Sequence, residues 1–355
     1  MKDLLKMPNA LNHYNNIQNQ LIITSPKELK KSYPCNDKLT LQISKFRKKI
    51  SAIINGSDNR LLIICGPCSI HDPQAAIEYA KKLKYLSNQV HDKMYLIMRV
   101  YLEKPRTSIG WKGLINDPYR NNSCNIESGL KISRQLLLEL TNIGIPLGTE
   151  ALNLNTIPYL EDLYSWMSIG ARTTESQPHR EIVSGLSIPI GFKNTTDGNY
   201  HKAINAIITA NVPHTFLSIN SSGKLCVLQT RGNNQLHVIL RGGDQKTNYD
   251  SETILQCVEA MKNAGLYPSI MVDCSHDNSK RDYRSQPEVA QSVIMQRRKG
   301  NNFIIGLMLE SNLYEGNQLW NLPSEKIQYG ISLTDACISW KTTEILLQDI
   351  YKTLQ

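Results

Sequence analysis

The chain has 355 residues, 41% hydrophobic and 20% charged, with 20 Gly and 15 Pro. That composition excludes global disorder and collagen-like or low-complexity architecture, and it allows two ordinary domains or one large α/β barrel. Forty basic against 31 acidic residues give a net charge of +9, which favours anionic partners without choosing among nucleic acid, membrane surface and phosphorylated metabolites.

In chain order, residues 1–55 come first, an extension rich in Asn, Lys and Gln. Within it Ile43, Phe46, Ile50, Ile53 and Ile54 recur at helical spacing, predicting an amphipathic helix over residues 38–55. The turn cluster Asn55-Gly56-Ser57-Asp58-Asn59 stops it. Residues 56–355 then alternate apolar runs with helical segments. The runs are Leu61–Cys65, Tyr95–Val100, Ile145–Thr149, Met167–Gly170, Ile188–Phe192, Thr215–Ile219, Ser269–Asp273 and Phe303–Leu309. Helical periodicity marks Pro73–Leu86, Ile126–Ile143, Thr156–Ser165, Tyr200–Ala210 and Ser251–Ala264. Strands alternating with helices predict a parallel sheet. Eight runs fit an α/β (β/α)8 TIM barrel, which needs roughly 250 residues. Leu225–Thr230, the turn Arg231-Gly232-Asn233-Asn234 and Leu236–Leu240 then read as a β-hairpin inserted after a sixth barrel strand at Thr215–Ile219.

No apolar run approaches the ~18–20 residues of a membrane span. The eight cysteines are irregularly spaced, unlike a secreted disulfide framework. The N-terminus lacks the apolar core of a signal peptide, so a cytoplasmic protein with reduced thiols is expected. The basic clusters Lys45–Lys49 and Arg297–Lys299 are short and lack interleaved aromatics, so they read as solvated helix faces. Neither nucleic acid nor membrane is an expected partner.

Functional groups of a (β/α)8 barrel gather at the C-terminal ends of its strands. Those ends carry Cys68, Arg99, Glu150, Arg172, Lys193, Arg241, His276 and Glu310. A charge closing a buried strand is costly unless paired. The cations Arg99, Arg172, Lys193 and Arg241 therefore imply either a pocket for an anionic ligand or a set of internal ion pairs. Cys68, His276, Glu310 and Asp335 make a mixed thiol, imidazole and carboxylate set, suited to Zn, Fe, Mn or Co rather than Ca or Mg. The four lie far apart in sequence, so spacing alone does not assemble them. Cys65-Gly66-Pro67-Cys68 matches the C-x-x-C of dithiol oxidoreductases. Pro73, however, is better placed to open the following helix, and Cys65 reads as a core side chain whose oxidation with Cys68 would disable a metal ligand. Neither G-x-G-x-x-G nor a P-loop occurs.

Several motifs together resemble one family. They are Gly66-Pro67-Cys68-Ser69-Ile70-His71-Asp72, Glu103-Lys104-Pro105-Arg106-Thr107 and Gly110-Trp111-Lys112-Gly113. To these are added Gly170-Ala171-Arg172-Thr173-Thr174-Glu175, Gly191-Phe192-Lys193-Asn194, Arg241-Gly242-Gly243, Asp273-Cys274-Ser275-His276 and Thr334-Asp335-Ala336-Cys337. The family is the type I 3-deoxy-D-arabino-heptulosonate 7-phosphate synthases, and the resemblance runs from about residue 40 to the C-terminus. It implies a condensation of phosphoenolpyruvate with erythrose 4-phosphate that releases phosphate, the first step toward aromatic amino acids. It implies one divalent metal ion (Mn, Fe, Co or Zn) held by Cys68, His276, Glu310 and Asp335. Arg99, Lys104, Arg172, Lys193 and Arg241 would hold phosphoenolpyruvate, and Lys104, Pro105, Arg106 and Thr107 the aldose phosphate. Lys104, Cys68 and His276 would take the catalytic roles. The resemblance further implies a homo-oligomer, dimer or tetramer, and feedback inhibition by an aromatic amino acid through the extension and a pocket including Ser187, Phe216 and Ser218. Leu217–Thr230 and Asn55–Asp58 look slightly more like the Trp-sensitive form. Departures from the family pattern are Thr195, Cys65 and the stretch Glu150-Ala151-Leu152-Asn153.

Overall fold

The computed structural model describes residues 16–106, 110–244 and 246–354. In the extension, Ser25 and Glu28 form a capping box that opens α1 (Pro26–Ser32). The Asn36 side chain then accepts from Leu39 N to open α2 (Asp37–Ile54). The amphipathic helix expected from the sequence is present, and its apolar face has a specific use. Ile50, Ile53 and Ile54 are buried against Leu62, Ile64, Ile97, Trp166 and Met308 of the barrel interior. α2 therefore closes the barrel floor. Arg47, on the same helix, donates to the carbonyls of Tyr164 at 2.7 Å and Glu161 at 2.7 Å, and Arg297 donates to the carbonyls of Ile304 and Asn59. Within the two basic clusters, these two arginines are latches on main-chain oxygens rather than solvated face residues.

Strand and helix alternate from there: β1 (Leu61–Gly66), α3 (Pro73–Val90), β2 (Met94–Arg99), α4 (Ile126–Ile143), β3 (Leu147–Glu150), the single turn α5 (Ile157–Leu160), β4 (Trp166–Ile169), α6 (Gln177–Gly185), β5 (Ile190–Lys193) and α7 (Tyr200–Ala210). Next come β6 (Thr215–Ile219) and β7 (Leu225–Gln229), then β8 (Leu236–Leu240), α8 (Ser251–Asn263), β9 (Ile270–Asp273), α9 (Gln286–Arg298), β10 (Ile304–Asn312), the short β11 (Ile338–Ser339) and α10 (Trp340–Thr353). The parallel order β1-β2-β3-β4-β5-β8-β9-β10 is closed by pairing of β1 with β10, making the expected (β/α)8 barrel.

The hairpin is inserted, but its members differ from the expectation. β6 pairs antiparallel with β7, Phe216 opposite Leu228. Leu236–Leu240 instead enters the barrel between β5 and β9. Thr215–Ile219 is thus the first hairpin strand and not the sixth barrel strand. Burial explains the exchange: all of β8 is buried, whereas Leu217 of β6 is 70% exposed. A barrel strand is covered on both faces and must be apolar throughout. His237 interrupts the apolar pattern of β8, yet it fits, because its Nε2 accepts from Trp166 Nε1 at 3.0 Å. Burial pushes its pKa down to about 4, so the ring is a neutral acceptor.

Alternation along β1 settles the place of Cys65. Leu61, Ile63 and Cys65 face the helix layer, while Leu62 and Ile64 face the barrel interior. Cys65 is a fully buried core thiol, pushed up to about 12 by burial, as the core reading expected.

Candidate active site at the barrel mouth

One cavity of about 860 Å³ opens at the C-terminal ends of the strands. Arg99, Glu150 and Lys193 are the last residues of β2, β3 and β5. Arg241 directly follows β8, Arg172 and His276 come three residues beyond β4 and β9, and Glu310 lies in β10. All of these line the cavity together with Lys104, Pro105, Arg106 and Asp335. Cys68 does not itself line the cavity; it is fully buried, with Sγ 3.5 Å from Oδ2 of the cavity-lining Asp335. Thr107 lies outside the described residues. Gly66 has φ +156°, and a Cβ there would meet the Arg99 carbonyl at 2.6 Å. Only glycine lets β1 turn toward Cys68 at this spacing.

Three strand-end cations carry a buried carboxylate partner. Arg99 meets Glu310 at 2.8 Å, Lys193 meets Asp273 at 2.8 Å and Arg241 meets Asp277 at 2.7 Å. Lys104 Nζ lies 4.0 Å from Asp335 Oδ2. Internal ion pairing and a shared anion pocket were alternatives in the sequence; the fold forms the ion pairs and also sets the same cations around one cavity. Seven Lys or Arg side chains (99, 104, 106, 172, 193, 241, 281) and five Asp or Glu (150, 244, 277, 310, 335) line the cavity among the described residues, and Asp273 lies behind Lys193, so cations still outnumber carboxylates at the wall. Burial works against the charge on Lys104, but Cys68, Glu310 and Asp335 outweigh it and raise its pKa, so the ammonium stays charged.

The donor set for a metal converges. One ligand atom each from Cys68, Glu310 and Asp335 lies within 4.8 Å of the others. His276 Nε2 stands 3.9 Å from Glu310 Oε1, while its Nδ1 lies 3.0 Å from Asp273 Oδ2. His276 is the one expected ligand that stands outside the converging three; its Nδ1 is engaged by Ser275 Oγ at 2.7 Å as well as by Asp273, which leaves Nε2 as the nitrogen available to a metal. His276 adopts φ 57°, outside the regions open to most residues, and the loop holds it there through Arg281 N donating to the His276 carbonyl at 2.8 Å. Burial, then the nearby Glu310, push the Cys68 thiol up to about 12. A soft thiol kept protonated beside two carboxylates is a poor isolated arrangement, and a divalent cation among them would supply the positive charge that favours the thiolate. These residues fit a divalent metal site.

Several groups that serve this site were not singled out in the sequence. Asp273 and Asp277 are the counter-ions just described, and the only sequence signal was their place beside the strand end that carries His276. Asn194, Asn248 and Asn278 form a buried network that ties the loops after β5, β8 and β9: Asn194 Oδ1 accepts from Arg241 N at 2.8 Å, and Asn278 Oδ1 accepts from Asn248 N at 2.8 Å. Thr195 Oγ1 donates its one proton to Asp197 Oδ1 at 2.5 Å, with the Asn199 carbonyl 3.3 Å away, so this departure from the family pattern pins its loop.

Glu103, next to Lys104, is buried, which pushes it from an ordinary 4.5 up to about 7 against hydrogen bonds from Thr156 Oγ1 and Asn153 N. Between these values the folded chain holds a proton that the unfolded chain has lost, so stability falls as pH rises through this window. The buried His71 and His237, both pushed down to about 4, act in the opposite sense over the same range, so the expected result is a difference between two proteins: the melting temperature of the parent relative to Glu103→Gln falls from pH 5 to pH 7. Equal slopes in both proteins, followed by calorimetry, would remove Glu103 as the source.

The model of the DAHP synthetase I family matches residues 34–348. The chain belongs to the DAHP synthetase I family. Among its relatives, the Tyr-sensitive phospho-2-dehydro-3-deoxyheptonate aldolase of Escherichia coli is 55% identical over 345 residues, 97% of this chain and 96% of that one. The Phe-sensitive enzyme of the same organism is 47% identical over 326 residues, 92% of each chain. A solved phospho-2-dehydro-3-deoxyheptonate aldolase from Francisella tularensis superposes with a TM-score of 0.93 at 44% identity, covering 96% of this chain and 99% of that one. This family member is accordingly an enzyme of the aldolase-type transferase class. No helix among its described residues is long and apolar enough to cross a membrane.

Proposed function

We propose that the protein condenses phosphoenolpyruvate with erythrose 4-phosphate and water to 3-deoxy-D-arabino-heptulosonate 7-phosphate and inorganic phosphate, opening the route to aromatic amino acids in the cytoplasm. The observation that carries this reading is that the strand-end cations share one cavity with Glu310 and Asp335, whose carboxylates meet the buried Cys68 thiol behind the wall. Arg99, Lys104, Arg172, Lys193 and Arg241 bind the phosphate and carboxylate of phosphoenolpyruvate, Arg in bidentate fashion and Lys as a point charge. Lys104, Pro105 and Arg106, with Thr107, receive the phosphate of the aldose. Cys68, His276, Glu310 and Asp335 hold one divalent ion of the Mn, Fe, Co or Zn group, which when bound supplies Lewis acidity toward the aldehyde oxygen. The cations offset the repulsion between two anionic substrates and fix the enol carbon against the carbonyl carbon. A carbon–carbon bond forms there, the charged Lys104 stabilises the developing alkoxide, water adds at the neighbouring carbon and releases a proton that neutralises the alkoxide, and the carbon–oxygen bond to phosphate breaks as phosphate leaves.

The assay is phosphate release with erythrose 4-phosphate and, separately, arabinose 5-phosphate, before and after chelation. Turnover with the four-carbon aldose, lost on chelation and restored by Mn, Fe, Co or Zn, is the expected result. Turnover with the five-carbon aldose alone overturns the substrate assignment, and full activity after exhaustive chelation overturns the metal.

We propose further that residues 1–55 serve regulation and homo-oligomer formation. Exposed apolar side chains gather on the hairpin, with Leu217, Leu225 and Val227 at 70%, 73% and 63%, and on the extension, with Leu21 and Ile22 at 69% and 87%. Such surfaces favour a partner copy. The extension meets the hairpin through Lys27 N donating to the Ser221 carbonyl at 2.7 Å, near Phe216 and Ser218 of β6. The relatives' names are Tyr- and Phe-sensitive, which moves the effector proposed for this chain from tryptophan to tyrosine.

A further inference from the structure

Beyond the groups that would touch metal or substrate, we infer that Gln286 is a positioning residue for Glu310, standing in for a missing stretch of β-strand at the point where the barrel delivers that carboxylate to the metal site. The inference rests on the metal reading above. β9 pairs with β10 only as far as Asp273 opposite Met308, where Cys274 N donates to the Met308 carbonyl at 2.9 Å. Beyond Asp273 the chain leaves the sheet to carry His276. Glu310 lies two residues past Met308, so its N–H and carbonyl face the same edge, now without a strand. Buried main-chain groups left unpaired there would be costly.

Gln286 fills that gap. It is the first residue of α9 and is 0% exposed. Its Oε1 accepts from Glu310 N at 2.8 Å and its Nε2 donates to the Glu310 carbonyl at 3.0 Å. One carboxamide thus supplies both bonds that a residue of a neighbouring strand would give. The opposite edge of β10 is held by β1, with Gly66 in register with Glu310. Gripped from both sides, the Glu310 main chain can place its carboxylate only where the structure has it: 2.8 Å from Arg99 Nη2 and within the cluster of Cys68 and Asp335. Shorter and apolar side chains at position 286 would satisfy neither or only one group, letting the inward-facing Glu310 drift.

The test is titration of the full-length, metal-stripped protein with Co²⁺, reading the thiolate-to-metal absorption of Cys68 and the dissociation constant. Gln286→Met, close in size and unable to pair either group, should bind Co²⁺ roughly 10–100-fold more weakly, the usual loss when a residue supporting a metal ligand is removed. Gln286→Asn, one methylene shorter, should fall between it and the parent. Val289→Ala, a truncation of a buried residue on the same helix that leaves Gln286 intact, should keep the parent affinity. Near-UV circular dichroism confirms that each variant is folded; if Gln286→Met is not, Gln286→Asn carries the comparison. Parent-like Co²⁺ affinity in the folded Gln286 variants overturns the role of Gln286 and leaves the metal reading standing, as does an equal loss in Val289→Ala. A parent that binds Co²⁺ without the thiolate band overturns the metal reading and this inference with it.

Discussion

Cys68→Ala is expected to abolish Co²⁺ thiolate absorption and to lower turnover by on the order of 10³-fold, a loss of several kcal/mol of transition-state stabilisation, while leaving the fold intact. The thiol is fully buried, its Sγ 3.5 Å from Asp335 Oδ2 and within 4.8 Å of a Glu310 oxygen. Removing one sulfur from the core costs about 1 kcal/mol, too little to unfold a chain of this size. The catalytic loss and the small structural loss therefore separate cleanly. Far-UV circular dichroism, melting temperature and bound metal, measured on the same preparation, decide the matter. An active variant that still holds one metal per chain would reject Cys68 as a ligand.

Arg99→Leu should be more damaging to the protein itself. Arg99 is 0% exposed and its Nη2 is bonded to Glu310 at 2.8 Å. Deleting one partner of such a buried pair leaves a stranded charge and costs roughly 3–5 kcal/mol. The Arg99 guanidinium also donates from Nε to the Pro67 carbonyl at 3.1 Å, so the turn that presents Cys68 loosens as well. In urea unfolding of the metal-free protein, adding Glu310→Gln to Arg99→Leu should recover much of the stability, because the stranded charge is gone, without recovering any activity. If the double variant is no more stable than the single one, the loss comes from packing rather than from the unpaired carboxylate.

Much of this site was legible because barrel strands end in phase: a run of apolar residues followed by Arg99, Lys193 or Arg241 marks both the strand and its mouth. The same rule failed at residues 215–240. Thr215–Ile219 alternates and lies on the surface, whereas Leu236–Leu240 is covered on both faces, yet the sequence pattern of the two is much alike because His237 looks polar. Its burial depends on Trp166, a residue 71 positions away, and no local pattern carries that information. The counter-carboxylates were hidden for a related reason. Asp273 and Asp277 are ordinary loop-border acids until the fold sets them against Lys193 and Arg241. Gln286 was less visible still, since a glutamine at a helix start has no signature until its carboxamide is found on Glu310.

The helix beneath the barrel has a consequence for how the molecule can be cut. Composition places a natural-looking seam near residue 55, but Ile50, Ile53 and Ile54 lie on the far side of it and are the base of the vessel. A chain trimmed at that seam would be a tube open at both ends, its central column of Leu62, Ile64 and Met308 wetted from below. Any force that tugs on the first 55 residues is therefore applied to the underside of the barrel whose other end carries the cavity.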